Sequence, residues 1–238
     1  MPNWLSKALF VLVAFLTNII QAITGFAGTV LAMPFSIQLV GKSFAKPILN
    51  AIALLICVIV VIRNFKNIDW KCLLEIILFM GIGMVVGFFL EKYLYSSWFL
   101  KIYGILIVAI SFYYFFVENP VKLPRPLGWL IMFFAGIVHM IFVSGGPLLI
   151  IAAKNRIKEK ETFRATLSMV WVILNSAILA TDITGGNFSI DQLWVLLIIV
   201  PTVIVSMIIG KFVLKRMSNN FFMKLTCVLL FISGMTII

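Results

Sequence analysis

TGFAGTVLAMP, residues 24–34, lies inside a run from 8 to 41 that carries no Asp, Glu, Lys or Arg. As one α-helix that run would measure roughly 51 Å at 1.5 Å per residue, against a bilayer hydrocarbon core of about 30 Å. A second run, 126–153, is also uncharged and carries VSGGP at 143–147. It would reach about 42 Å. Neither fits a single crossing, and each holds glycine and proline at or near its middle. Both are read as broken helices or re-entrant hairpins. Such backbone survives at membrane depth only where protein or a watery cavity satisfies its polar groups.

Outward from these two runs, six more uncharged stretches follow, at 47–62, 76–90, 102–117, 165–181, 192–210 and 225–238. Hydrophobic residues make up 63% of the 238 and charged residues only 11%, with a mean hydropathy of +1.17. A water-soluble domain is nearer 45–50% apolar and about 25% charged, so lipid is the solvent. The expected fold is an all-α integral membrane protein of about eight transmembrane or re-entrant segments. The first apolar stretch, after Lys7, is read as a retained membrane helix, since more apolar spans follow it.

The order of elements repeats. Gly87, Phe89, Lys92, Phe99 and Lys101 recur as Gly210, Phe212, Lys215, Phe222 and Lys224, a shift of 123. Ile68-Asp69 recurs as Ile190-Asp191, while Gln21 and Gly28 fall on His139 and Gly146 at a shift of 118. The chain is therefore expected to be two related four-segment halves, 1–120 and 121–238, each opening on a broken helix. Internal repeats of this kind are a usual build of secondary transporters.

A formal charge of +11 would suggest nucleic acid in a soluble protein. Here the Lys and Arg residues sit in the short gaps between spans, where they set topology and meet lipid headgroups, so no nucleic-acid partner is expected. The loop at 154–164 and the segment 211–224 are basic and 182–191 has no Lys or Arg, which puts the first two in the cytoplasm. If both broken runs fold back, the halves are inverted, with fourteen basic residues inside and five outside. If both cross once, the halves are parallel and the split is thirteen to six. The fold-back arrangement is preferred because broken segments accompany inverted repeats.

An anion carrier must replace water around its cargo, and exposed N–H groups at a helix start do this with partial positive charge. Ser144-Gly145-Gly146-Pro147 has the composition of such a start, and Thr24-Gly25-Phe26-Ala27-Gly28 is its partner. Close helix packing through small residues is the competing explanation. His139, the lone histidine, lies deep in a span, and an intramembrane ionisable group is a functional hypothesis by default. Gln21 shares one helix face with Asn18 and Thr24. Arg164 opens the sixth span and could attract an anion or serve only as a topology charge. Asn50, Ser168 and Asn175 are read as hydrogen-bonding residues between helices.

The carboxylates are placed in loops or at span ends, which disfavours a cation carrier. Cys57, Cys72 and Cys227 show no metal or redox spacing. No nucleophile–base pair or nucleotide-binding motif is present, so neither an enzyme nor a cofactor is expected. A non-transporting membrane subunit of a larger complex and an intramembrane enzyme are the weaker alternatives.

ITGFAGTVLAMP, FAGIVHMIFVSGGPLLII and FRATLSMVW together resemble the paired signatures of the sulfite exporter TauE/SafE family, over nearly the whole chain. That resemblance implies a bacterial multi-pass inner-membrane carrier that exports sulfite, organosulfonates or other sulfur-containing anions. It points to Gly25 and Gly28, to Ser144, Gly145, Gly146 and Pro147, and to Arg164. Phe26-Ala27 and Val143-Ser144 stand where family members often have glycine. The expected partners are a small anionic substrate and membrane lipids, with homo-oligomer formation left open.

Overall fold

The computed structural model describes residues 3–94, 97–116, 124–153, 156–157, 159–186 and 188–237. The boundary between halves at 120 and 121, and Lys154 and Lys158 of the basic loop, lie outside the described residues. Among those described, every regular element is helical. The first half comprises α1 (Trp4–Thr24), α2 (Ala27–Val40), α3 (Lys42–Asn64), a 3-10 turn (Phe65–Asn67), α4 (Trp70–Leu94) and α5 (Ser97–Phe116). The second comprises α6 (Arg125–Phe142), α7 (Gly146–Ala153), α8 (Lys160–Thr184), α9 (Ile190–Arg216) and α10 (Asn219–Ile237). By length and composition, α1, α3, α4, α6, α8 and α9 can each cross a membrane.

Both over-long runs break where the sequence places glycine, and both fold back. Gly25 ends α1 in the left-handed region at φ 83°, which costs glycine nothing. Its N–H donates to the Gln21 carbonyl at 2.8 Å, and the Thr24 hydroxyl accepts from the N–H of Ala27 at 3.2 Å to start α2. The arms then press together. A Cβ added to Gly28 would lie 2.5 Å from Gln21 Cβ and 3.0 Å from the Thr17 carbonyl, so α2 runs back along α1.

In the second run Val143 takes the turn at φ 52°. A β-branched residue in that region is strained by about 1–2 kcal/mol. A Cβ on Gly145 would strike the Ala135 carbonyl and lie 2.7 Å from His139 Cβ, so α7 likewise returns along α6.

Side-chain bonds fix which ends of the helices meet. At one end Lys7 pairs with Asp191 at 2.7 Å, Lys42 with Glu91 at 2.9 Å, and Gln192 Nε2 donates to the Ser43 carbonyl at 2.9 Å. At the other end Arg156 pairs with Glu75 at 2.6 Å, Trp129 Nε1 donates to Glu75, and the Asp69 N–H donates to the Thr166 hydroxyl at 3.0 Å. This second end is the basic one under the fold-back count and is called the inner end below, the first the outer end. Hairpin α1–α2 enters from the outer end and hairpin α6–α7 from the inner end.

The helices pack as α1 on α9, α4 on α6, α5 on α10 and α3 on α8. Of the spanning helices α3 is the most enclosed, with 67% of its apolar window buried against 33% for α4 and α9. The α3–α8 pair is thus the axis. Leu74, Leu78 and Ile82 on α4, and Trp194, Leu197 and Ile208 on α9, turn outward to lipid.

Candidate functional site

The two hairpin tips meet beside the α3–α8 pair. Phe26, at the first tip, is the nearest neighbour of Gly146 at the second, where an added Cβ would lie 3.1 Å from its ring. Gln21, Thr24, His139 and Ser144 are all buried here, at no more than 3% exposure.

Several of these groups close the hairpins. Gln21 Oε1 accepts from the Gly28 N–H at 2.8 Å, and its Nε2 donates to Cys57 Sγ at 3.5 Å. His139 Nδ1 accepts from the Gly145 N–H at 3.4 Å, and Nε2–H donates to Asn175 Oδ1 at 2.8 Å. The same ring lies 4.7 Å from that of Trp171. Ser144 Oγ donates to the Phe142 carbonyl at 3.0 Å. Pro147 sits in the first turn of α7, where no N–H is missed. At Gly28 and Gly145, then, the backbone donors meet a side chain of the other arm, and Gln21 and His139 act as positioning residues.

Arg164 is different. Its Nε has no hydrogen-bond partner, and neither does Ser168 Oγ one turn along. Gly25 makes this possible, because a Cβ there would lie 3.2 Å from Arg164 Cγ and 3.3 Å from Ser168 Oγ. Arg164 lines a cavity of about 620 Å³ at the inner end, with Arg63, Lys211 and Lys215 against a single acid, Glu161. Four cations around such a volume concentrate anions from the adjoining water. The start of α8 is fixed by Glu159, whose carboxylate accepts from the N–H groups of Glu161 and Thr162. Burial opposes ionisation of that carboxyl, but these bonds and Lys160 hold it below the usual carboxylate range.

From Arg164 a polar stripe crosses the bundle. Arg164, Ser168, Trp171, Asn175 and Asp182 fall on one face of α8 at intervals of three, four and seven residues. From first to last they span about 27 Å. Asn50 on α3 joins the stripe through Nδ2, which donates to the Asn175 carbonyl at 3.1 Å. Asn50 Oδ1, Trp171 Nε1 and Asp182 Oδ2 have no protein partner. Buried polar atoms are rarely left so, which sets this row apart from the apolar packing around it.

The structure therefore brings all ten residues singled out in the sequence, Gln21, Thr24, Gly25, Gly28, His139, Ser144, Gly145, Gly146, Pro147 and Arg164, to the two tips and the helix that passes them. It corrects one expectation. A carboxylate does lie within a span, because α8 runs on to Thr184 and turns Asp182 inward at 5% exposure. Taken singly, Ser168 and Asn175 give no hint of the stripe, and their spacing along the helix is the signal that reveals it. A second cavity of about 260 Å³ at the outer end is lined by Lys42, Lys46, Glu91 and Asp182 among others.

A family profile described as "Sulfite exporter TauE/SafE" matches residues 10–237. The chain is also similar to a "Probable inner membrane transporter protein TsaS" of Comamonas testosteroni, 24% identical over 183 residues, covering 73% of this chain and 74% of that protein. No solved structure matches it.

Proposed function

The chain belongs to the sulfite exporter TauE/SafE family and is a membrane transporter, and from that premise we propose that it carries a small sulfur-containing oxyanion, sulfite or an organosulfonate, outward across a bacterial inner membrane. The observation that carries the reading is Arg164, a guanidinium with an unpartnered Nε at the head of a basic cavity open to the inner end. Its planar donors match an oxyanion in shape as well as charge. The Ser168 hydroxyl, also without a partner, offers a second donor one turn deeper. The hairpin tips supply a neutral wall, so Glu161 is the one acid lining the cavity of Arg164.

In this reading the anion is drawn into the inner cavity, exchanges water for Arg164 and Ser168, and passes along the polar face of α8. The two halves, 1–120 and 121–238, are inverted repeats that rock about the crossed tips.

The test is sulfite flux in proteoliposomes containing this protein alone. Charge-assisted hydrogen bonds are worth about 1.5–3 kcal/mol, so Arg164→Gln is expected to cut flux by about 10- to 100-fold. Arg164→Lys keeps the charge without the fork and is expected to fall between. Wild-type flux that Arg164→Gln leaves intact overturns the site.

A further inference from the structure

Six of the nine residues that line each cavity correspond between the two. Arg63, Asn64, Glu161 and Arg164 of the inner cavity become Thr181, Asp182, Ser43 and Lys46 of the outer one at a shift of 118. Lys211 and Leu214 become Phe88 and Glu91 at a shift of 123. The contacts between the cavities obey the same shift. Gln21 bonds Cys57 where His139 bonds Asn175, and Gly25 and Val143 take the same left-handed turn. Lys46 is thus the counterpart of Arg164. It sits in the second turn of α3, as Arg164 does in α8, and is 7% exposed.

Of these six pairs only Arg164 and Lys46 match in charge: Arg63, Glu161 and Lys211 give way to neutral residues, and at two places the outer cavity gains an acid. Where the inner cavity has Leu214, the outer has Glu91, 3.4 Å from Lys46 and 2.9 Å from Lys42. Where the inner has Asn64, the outer has Asp182, with Oδ2 unpartnered. The charged groups facing Asp182 are Lys42 and Lys46 from α3 and Glu91 from α4, with Ser43 and Thr181 as neutral lining. With both acids ionised, the two cations are matched charge for charge, and nothing remains to hold an anion. A proton on Asp182 leaves one positive charge uncompensated beside Lys46.

Building on the anion-carrier reading above, we propose that the outer cavity is a second half-site for the same small oxyanion, held by Lys46 in place of Arg164 and filled only when Asp182 carries a proton. The inner half-site, with Asn64 and Leu214 at the matching positions, takes its anion without one. The carrier then loads at the inner face at any working pH and holds its cargo at the outer face in proportion to the outer proton concentration.

The experiment measures sulfite KM from each face separately, in right-side-out and inverted membrane vesicles. Lys46→Gln is expected to raise the outer KM roughly tenfold or more and leave the inner KM within about twofold, with Arg164→Gln doing the reverse. Asp182→Asn is expected to lower the outer KM at neutral pH. It should also flatten its rise with outer pH, relative to wild type measured over the same range so that titration of sulfite itself cancels. Lys46→Gln acting on both faces alike, or on neither, overturns the half-site. If that variant does not reach the membrane, Asp182→Asn decides alone, and an outer pH response equal to wild type overturns the proposal. Absence of flux in wild-type vesicles overturns the anion-carrier reading itself, and this one with it.

Discussion

His139 shows how one intramembrane ionisable residue can serve the backbone rather than the cargo. Both ring nitrogens are engaged, one by the Gly145 N–H and one by Asn175. Gln21 does the same work in the first hairpin with an amide, accepting from Gly28 and donating to Cys57. An amide at 139 can therefore accept and donate in the same two directions. His139→Gln is expected to keep at least half of wild-type flux, whereas His139→Leu strands a buried N–H and a buried carbonyl. Each stranded group costs about 1–3 kcal/mol, enough to lose the hairpin tip and with it transport. Flux and detergent melting temperature, measured together, check this. A His139→Gln protein that melts like wild type but carries nothing would assign the imidazole a direct part in transport. Sequence alone marks His139 as important, because a charge-capable group in lipid is costly. It does not say which atoms claim the ring, since Gly145 and Asn175 reach it only once α7 has folded back and α8 has packed.

At the scale of the element, the hairpins are legible as breaks and less so as folds. Run length against bilayer thickness gives the interruption, and glycine gives its place. The direction of the second arm rests on close approach, which glycine content permits without dictating. Two glycines of matching sequence position differ sharply here. A methyl on Gly28 would sit 2.5 Å from Gln21 Cβ and 3.0 Å from the Thr17 carbonyl, groups held by helix α1. A methyl on Gly146 would meet the Phe26 ring at 3.1 Å, and a ring edge can give way. Gly28→Ala is thus expected to cost about 1–3 kcal/mol by overpacking and Gly146→Ala well under about 1 kcal/mol. Thermal unfolding of the two variants in one detergent checks the ranking, and equal shifts would mean that the arms of the first hairpin are not in contact. The polar face of α8 is equally present in the sequence. Its residues recur at three, four and seven, yet with apolar neighbours on every side the period shows only when α8 is taken as one helix from 160 to 184.

For the whole molecule the question that sequence leaves open is whether the broken runs cross or return, and the two counts of basic residues differ by one. A single charge cannot carry topology, because positive-inside is a bias over loops and not a rule for each residue. Packing carries it instead. The 3-10 turn at Phe65–Asn67 lies against α8, and Asp69 bonds Thr166 in the second turn of that helix. The end of α3 and the start of α8 are therefore on one side, and with α4 and α5 each crossing between them this holds only if α6–α7 returns to the side it came from. Had the second run crossed, α3 would finish at the opposite face from the start of α8. Lys66, exposed in that turn, and Thr184, exposed at the far end of α8, must then lie on opposite sides of the membrane. Cysteines placed singly at these positions can be read against a quiet background, since Cys57, Cys72 and Cys227 are buried. A membrane-impermeant maleimide is expected to label Thr184→Cys in intact spheroplasts and Lys66→Cys only in inverted vesicles. Labelling of both from the same face would require the second hairpin to cross. It would also remove the geometric basis for paired half-sites at opposite faces.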